Sequence, residues 1–142
     1  MLYASCHPMF FRYNEIINLA SLQIMATARA LIVDDDEAIL KVVSAYLKRN
    51  DEYEVFATSS PQEALEMVRK SPVDLLISDI MMPGILGTRL FHEIKQISPN
   101  TVCILISGYE KEMYNLPPEM LFLKKPFTAD ELFSTIVKAK TQ

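Results

Sequence analysis

Asp79 closes an unbroken apolar run, Leu75-Leu76-Ile77-Ser78-Asp79, and a Pro83-Gly84 turn follows at once. Three other apolar runs end in a polar group in the same way. Ala30-Leu31-Ile32-Val33 runs into Asp34-Asp35-Asp36, Val102-Cys103-Ile104-Leu105-Ile106 into Ser107-Gly108, and Leu121-Phe122-Leu123 into Lys124-Lys125-Pro126. If these runs are parallel strands, an acid cluster, a lone acid, a hydroxyl and an ammonium meet at one sheet edge. Asp34, Asp35 and Asp79 would then repel one another unless protons or a cation intervene. An oxygen-only ligand set, small and with room for water, suits Mg2+ better than zinc or a fully caged calcium. Lys125 adds a compact positive charge fitted to a phosphoryl oxygen, and Ser107 offers a hydroxyl to the same anion. A carboxylate, a divalent cation, a lysine and a hydroxyl around one anion describe phosphoryl transfer, with Asp79 as the acceptor.

The elements that must position these groups alternate along the chain. Residues 29–33 read as a strand and 37–50 as a helix, with Ile39, Val42, Val43, Tyr46 and Leu47 on one face. Residues 53–57 form a short strand. The helix after it starts with Ser60 as N-cap, Pro61 at the first helical position and Glu63 completing a capping box. Residues 73–78 give the third strand, and 88–97 a helix with Leu90, Ile94 and Ile97 facing inward. Strands over 101–106 and 120–123 follow. Thr128 with Glu131 then caps a final helix carrying Leu132, Phe133, Ile136 and Val137. Strands made of continuous Val, Ile and Leu imply burial on both faces, hence an α/β fold with a parallel sheet between helix layers. In such sheets ligands sit beyond the carboxyl ends of the strands. All three glycines, Gly84, Gly87 and Gly108, fall just after the third and fourth runs, where backbone must turn tightly or leave room.

Composition sets the bounds. The sequence has 142 residues, half of them apolar, enough for one domain with a real core. A formal charge of −4 and the absence of any basic stripe argue against a nucleic-acid surface. Cys6 and Cys103 are the only cysteines, so a disulfide framework is not expected and a reducing, cytoplasmic setting fits. Residues 1–27 read as an N-terminal extension, poorly ordered or a short helix with Ile16, Ile17, Ala20, Gln23 and Ile24 on one face, or as residues upstream of a start at Met25. The uncharged stretch from Ile16 to Ala28 is too short to cross a bilayer, and no membrane insertion is expected. The domain proper spans 28–142.

Four motifs in order now carry a resemblance: Asp34-Asp35, Asp79-x-x-Met82-Pro83-Gly84, Ser107-Gly108 and Lys125-Pro126-Phe127. From about residue 28 to 140 the chain resembles the receiver domains of two-component response regulators, chemotaxis regulators among them. The resemblance implies a flavodoxin-like (βα)5 fold with strand order 2-1-3-4-5. It implies that Asp79 takes a phosphoryl group from the phosphohistidine of a histidine kinase or phosphotransfer protein. Asp35, Asp79 and the backbone carbonyl of Met81 would hold Mg2+, with Asp34 assisting through water. Ser107 would swing onto the phosphoryl group, Lys125 would bind it, and Phe122 would be the aromatic switch that turns into the space Ser107 leaves. It also implies a cis peptide at Lys125-Pro126. Met81 and Tyr109 would control the approach of water, and their bulk implies slow loss of the phosphoryl group. A monomer or weak dimer acting on a downstream protein, rather than an enzyme with its own substrate, completes the expectation.

Departures from the pattern are also legible. Only Tyr109 to Leu116 separates Ser107-Gly108 from Pro117-Pro118, which stop any helix. An average helix needs about 10–14 residues, so the fourth helix should be short or irregular. Leu86 stands where an acidic cap is common. Asp36 and Glu37 read as N-terminal acids of the first helix rather than metal ligands. His92 lies opposite the Leu90/Ile94/Ile97 face and should be an exposed surface residue, whereas Cys103 reads as a small buried hydrophobe. Phe122 could equally be a plain core residue of the last strand. Two other functions stay open on these residues. One is a small Asp-nucleophile phosphatase of the haloacid dehalogenase type, which the run Asp34-Asp35-Asp36-Glu37 fits poorly. The other is a receiver-like module that binds partners without being phosphorylated. The two residues after Lys140 in this sequence are too few for an output domain, so the expectation is a stand-alone receiver or one cut from a hybrid kinase.

Overall fold

The computed structural model describes residues 27–118 and 120–142. The expectations for residues 1–26, including Cys6, lie outside the described residues. Five strands, β1 (Ala28–Val33), β2 (Tyr53–Thr58), β3 (Leu75–Asp79), β4 (Val102–Ser107) and β5 (Leu121–Lys124), form one sheet. All neighbours pair parallel in the order β2-β1-β3-β4-β5, as the resemblance implies. Four α-helices connect or follow them: α1 (Glu37–Leu47), α2 (Pro61–Lys70), α3 (Gly87–Ile97) and α4 (Ala129–Lys140). Among the described residues, the crossover from β4 to β5 holds only a 3-10 turn at Lys111–Met113, the shortened element that Pro117-Pro118 requires.

Alternation along each strand divides the core into two layers. Leu31, Val33, Leu76, Cys103 and Leu105 face α2 and α3, packing on Leu65, Val68, Leu90, Phe91 and Ile94. Ala30, Ile32, Ile77, Ile104 and Ile106 face α1 and α4, packing on Val43, Leu47, Leu132 and Ile136. Both layers are apolar, which is why the central strands read as unbroken hydrophobic runs rather than alternating ones.

The helices start as the sequence indicates, with one difference. Asp36 caps α1 by accepting from the backbone N–H of Ala38 at 2.9 Å, and Thr128 and Glu131 close a complete capping box on α4. Ser60 caps α2, but Glu63 does not complete the box there. Thr58 takes both roles instead: its hydroxyl donates to Glu63 and accepts from the backbone N–H of Ser60. A hydroxyl two residues before the cap outcompetes the cap's own N–H for the glutamate. No side chain caps α3, consistent with Leu86 at that position. The helical faces are narrower than the sequence suggests. Val42 and Val137 are exposed, because each lies about 100° around its helix from a buried neighbour, Val43 and Ile136. His92 is exposed and Cys103 buried, as expected. Burial pushes the Cys103 thiol far up, so it stays protonated. Among the described residues no helix is long and apolar enough to cross a membrane.

Candidate active site

The sheet delivers its polar endings to one edge, and backbone hydrogen bonds carry the ladder past the strand ends. The N–H of Asp34 donates to the Thr58 carbonyl at 3.3 Å, that of Ile80 to Ile106 at 3.0 Å, and that of Lys125 to Ser107 at 2.7 Å. Asp34, Asp79, Ser107 and Lys125 are therefore fixed by the sheet itself rather than by free loops. The Lys125-Pro126 peptide is cis, as expected. Behind Asp79, Gly84 adopts a φ of 89°, which only glycine takes up without strain. The chain then returns so closely that the Gly87 N–H donates to the Ile80 carbonyl at 2.8 Å.

Carboxylate oxygens of Asp34, Asp35 and Asp79 lie within 4.8 Å of one another. Asp34 is fully buried, Asp79 nearly so, and Asp35 is exposed at the mouth. Lys125 Nζ sits 2.7 Å from Asp34 Oδ2 and 3.4 Å from Asp79 Oδ1, and so is shared by the two buried acids. The second Asp34 oxygen accepts from the backbone N–H of Asp36 at 2.9 Å. A buried carboxylate needs such partners to remain charged. Asp79 is less well compensated. Burial raises its pKa, the charges of Asp34 and Asp35 raise it further, and Lys125 opposes them only in part. Burial alone would lower the Lys125 pKa, but the hydrogen bond and charge of Asp34, with help from Asp79, reverse the sign and raise it. The ammonium is thus held charged, while one lysine faces three acids.

That surplus of negative charge, offered only by oxygens, is the donor set a hard divalent cation such as Mg2+ accepts. Met81 lies two residues beyond Asp79 with its side chain 53% exposed, and Tyr109, 61% exposed, lies on the loop after β4.

Ser107 is buried, and its environment holds a residue the sequence did not single out. The Ser107 Oγ accepts from the Tyr109 N–H at 3.2 Å and shares a 2.6 Å hydrogen bond with the Tyr114 hydroxyl. Phe122 is half-buried against the α2/α3 layer, its ring centroid 6.3 Å from that of Tyr114. Phe122 thus packs on the core and lies beside the tyrosine that contacts Ser107. Tyr114 sits seven residues beyond Ser107 in an irregular segment, where no periodicity flags it. An ion pair between Glu110 and Lys124, also unforeseen, ties the start of the same segment to the end of β5.

The response regulator receiver domain family matches residues 30–137. The chain belongs to this family. Among curated relatives, the receiver is 34% identical over 112 residues to the regulatory protein VanR of Enterococcus faecium, covering 76% of this chain and 48% of VanR. It is 33% identical over 117 residues to the sensor kinase CckA of Brucella abortus, covering 78% of this chain and 12% of the kinase. The chain thus spans half or less of the length of these relatives. Among solved structures, the receiver domain of the hybrid histidine kinase CckA superposes with a TM-score of 0.63 at 33% identity, covering 78% of this chain and 97% of that one. A response regulator receiver domain protein from Clostridium thermocellum gives a TM-score of 0.69 at 30% identity, with 80% and 94% covered. The four ordered motifs and the strand order therefore belong to a receiver domain of the two-component type.

Proposed function

We propose that this receiver accepts a phosphoryl group on Asp79 from the phosphohistidine of a histidine kinase or phosphotransfer protein, and that the modified edge changes its contacts with a downstream protein. The observation that carries this reading is the shared lysine: Lys125 bridges the two buried acids from 2.7 and 3.4 Å, ready to follow charge from carboxylate to phosphoryl oxygen.

In the transfer, an Asp79 carboxylate oxygen forms the new P–O bond as the P–N bond to the donor imidazole breaks. The bonding pair stays on the imidazole nitrogen, which takes up a proton. Lys125 moves from the Asp79 oxygen to a phosphoryl oxygen while keeping Asp34. Ser107 turns its hydroxyl onto the same group, and Phe122 fills the space it leaves. Asp35, Asp79 and the Met81 carbonyl would hold Mg2+, with Asp34 acting through water. When bound, that cation neutralises charge on the transferring phosphoryl group. The chain is then a cytoplasmic signalling acceptor, and its only catalysis is of its own phosphorylation and dephosphorylation.

Incubation with acetyl phosphate and Mg2+ tests this reading. The expected result is a stoichiometric adduct that persists after the donor is removed. Continuous release of phosphate over many turnovers would instead indicate a phosphatase, and no adduct under any condition would indicate a module that only binds.

The lifetime of the adduct follows from the rim of the site. Met81, two residues beyond Asp79, and Tyr109, two beyond Ser107, are bulky residues at the positions that would control the approach of water, so the phosphoryl group should be lost slowly. Replacing either with alanine is expected to speed hydrolysis several-fold, followed as decay of the adduct after donor removal. An adduct that decays within seconds in the unaltered protein, at a rate neither replacement changes, contradicts this role.

A further inference from the structure

We propose that Tyr114 is a positioning residue for the phosphoryl switch: its hydroxyl holds Ser107 in the unphosphorylated receiver and must release it when a phosphoryl group occupies Asp79. The inference rests on the reading of Asp79 as acceptor and Ser107 as its hydroxyl partner, and adds a residue neither requires.

Three observations carry it. The 2.6 Å contact joins two hydroxyls, and the Ser107 end of it is buried, the residue being 1% exposed. The Tyr109 N–H occupies a second position around the same Oγ at 3.2 Å, so the Ser107 side chain is pinned from two sides. A serine hydroxyl has one proton to give and sits in staggered rotamers. Either hydroxyl can donate in the bond between Ser107 and Tyr114; in the proposed resting state Ser107 is the donor, so its one proton must leave Tyr114 to reach a phosphoryl oxygen. The hydrogen bond to Tyr114 is then present before phosphorylation and absent after it.

The local fold explains why a tyrosine reaches this position. The 3-10 turn ends at Tyr114, whose N–H donates to the Lys111 carbonyl at 3.1 Å. Asn115, at a φ of 45°, reverses the chain immediately afterwards. Glu110 anchors the front of the segment to Lys124. The segment, anchored at its front, presents Tyr114 with its ring beside Phe122 and its hydroxyl on Ser107. Phe122 itself has no hydroxyl to make that contact. Tyr114 is only half-buried, so its hydroxyl can meet water once released. Release would free the segment between Gly108 and Leu116, which makes that segment the part of the surface that reports the state of Asp79.

A bond made only in the resting state opposes the phosphorylated one by its own free energy. A net hydrogen bond corresponds to about a fivefold change in an equilibrium constant. The test is calorimetric titration of the whole chain with beryllium fluoride and Mg2+, beryllium fluoride standing in for the phosphoryl group. The measurement compares the unaltered protein, Tyr114→Phe, Ser107→Ala and the double variant. Tyr114→Phe keeps the ring beside Phe122 and should bind about fivefold more tightly. In the Ser107→Ala background the same change should have no effect, which a role confined to packing would not produce. Unchanged or weaker binding by Tyr114→Phe overturns the proposal, as does an equal gain in both backgrounds. Binding by the unaltered protein that disappears in Asp79→Asn keeps the underlying reading intact whichever way Tyr114 falls. Absence of binding by the unaltered protein overturns both.

Discussion

Gly87→Ala is expected to destabilise the receiver by about 3 kcal/mol or more, the upper range for overpacking a buried site. A Cβ at position 87 would stand 2.1 Å from the Asp79 carbonyl oxygen and 2.9 Å from its carbonyl carbon. Both are backbone atoms of a fully buried central strand, so no side chain can swing aside. Either α3 must lift from the sheet, breaking the 2.8 Å bond from the Gly87 N–H to Ile80, or the end of β3 must bend and carry Asp79 with it. The first route loses the packing of Leu90, Phe91 and Ile94, and the second loses the acceptor geometry. Gly108→Ala is the matched control. A Cβ there meets nothing within 4 Å, so its effect should stay within about 0.5 kcal/mol. Denaturant midpoints of the two variants check the contrast, and equal midpoints would show that the close approach at Gly87 does not constrain the fold.

Asp79→Asn should abolish phosphoryl acceptance and, in the absence of divalent cations, make the fold more stable. Both effects have one cause. Burial and the charges of Asp34 and Asp35 disfavour an ionised Asp79 more than Lys125 favours it. Asparagine keeps the shape and removes the charge, and Lys125 retains its 2.7 Å contact with Asp34. A gain of about 1 kcal/mol, or roughly 3–5 °C in Tm for a domain of this size, is the expected magnitude. Mg2+ should raise the Tm of the unaltered protein, because it binds only the folded site, and should do so far less in the variant. A lower Tm for Asp79→Asn without cation would mean that the Lys125 contact, not repulsion among the acids, dominates the energetics.

Much of this was legible in the sequence, because strand endings are unusually direct evidence. A parallel sheet buried on both faces forces its strands to be uniformly apolar, so each polar terminus at Asp34, Asp79, Ser107 or Lys125 marks the same edge. The truncated crossover was legible for a similar reason, since Pro117-Pro118 leaves no room for a helix. The less legible contacts depend on atoms brought together across irregular chain. Tyr114 reaches Ser107 through a 3-10 turn and a positive φ at Asn115, neither of which has a repeating signature. Thr58 takes the place of the Ser60 N–H at the Glu63 carboxylate because a strand-end hydroxyl lies within reach, a detail the capping-box spacing cannot express. Apolar spacing places Val42 and Val137 on faces too wide by one position, since it locates a helical stripe but not its edge.

The most direct test of the central claim is to locate the phosphoryl group. The receiver would be mixed with a phosphohistidine-bearing phosphotransfer protein and Mg2+, quenched, reduced with borohydride to convert aspartyl phosphate to homoserine, and sequenced by mass spectrometry. Conversion at Asp79 alone, dependent on Mg2+ and absent in Asp79→Asn, is the expected result. Conversion at Asp34 or Asp35, or phosphate released without any modified aspartate, would contradict it.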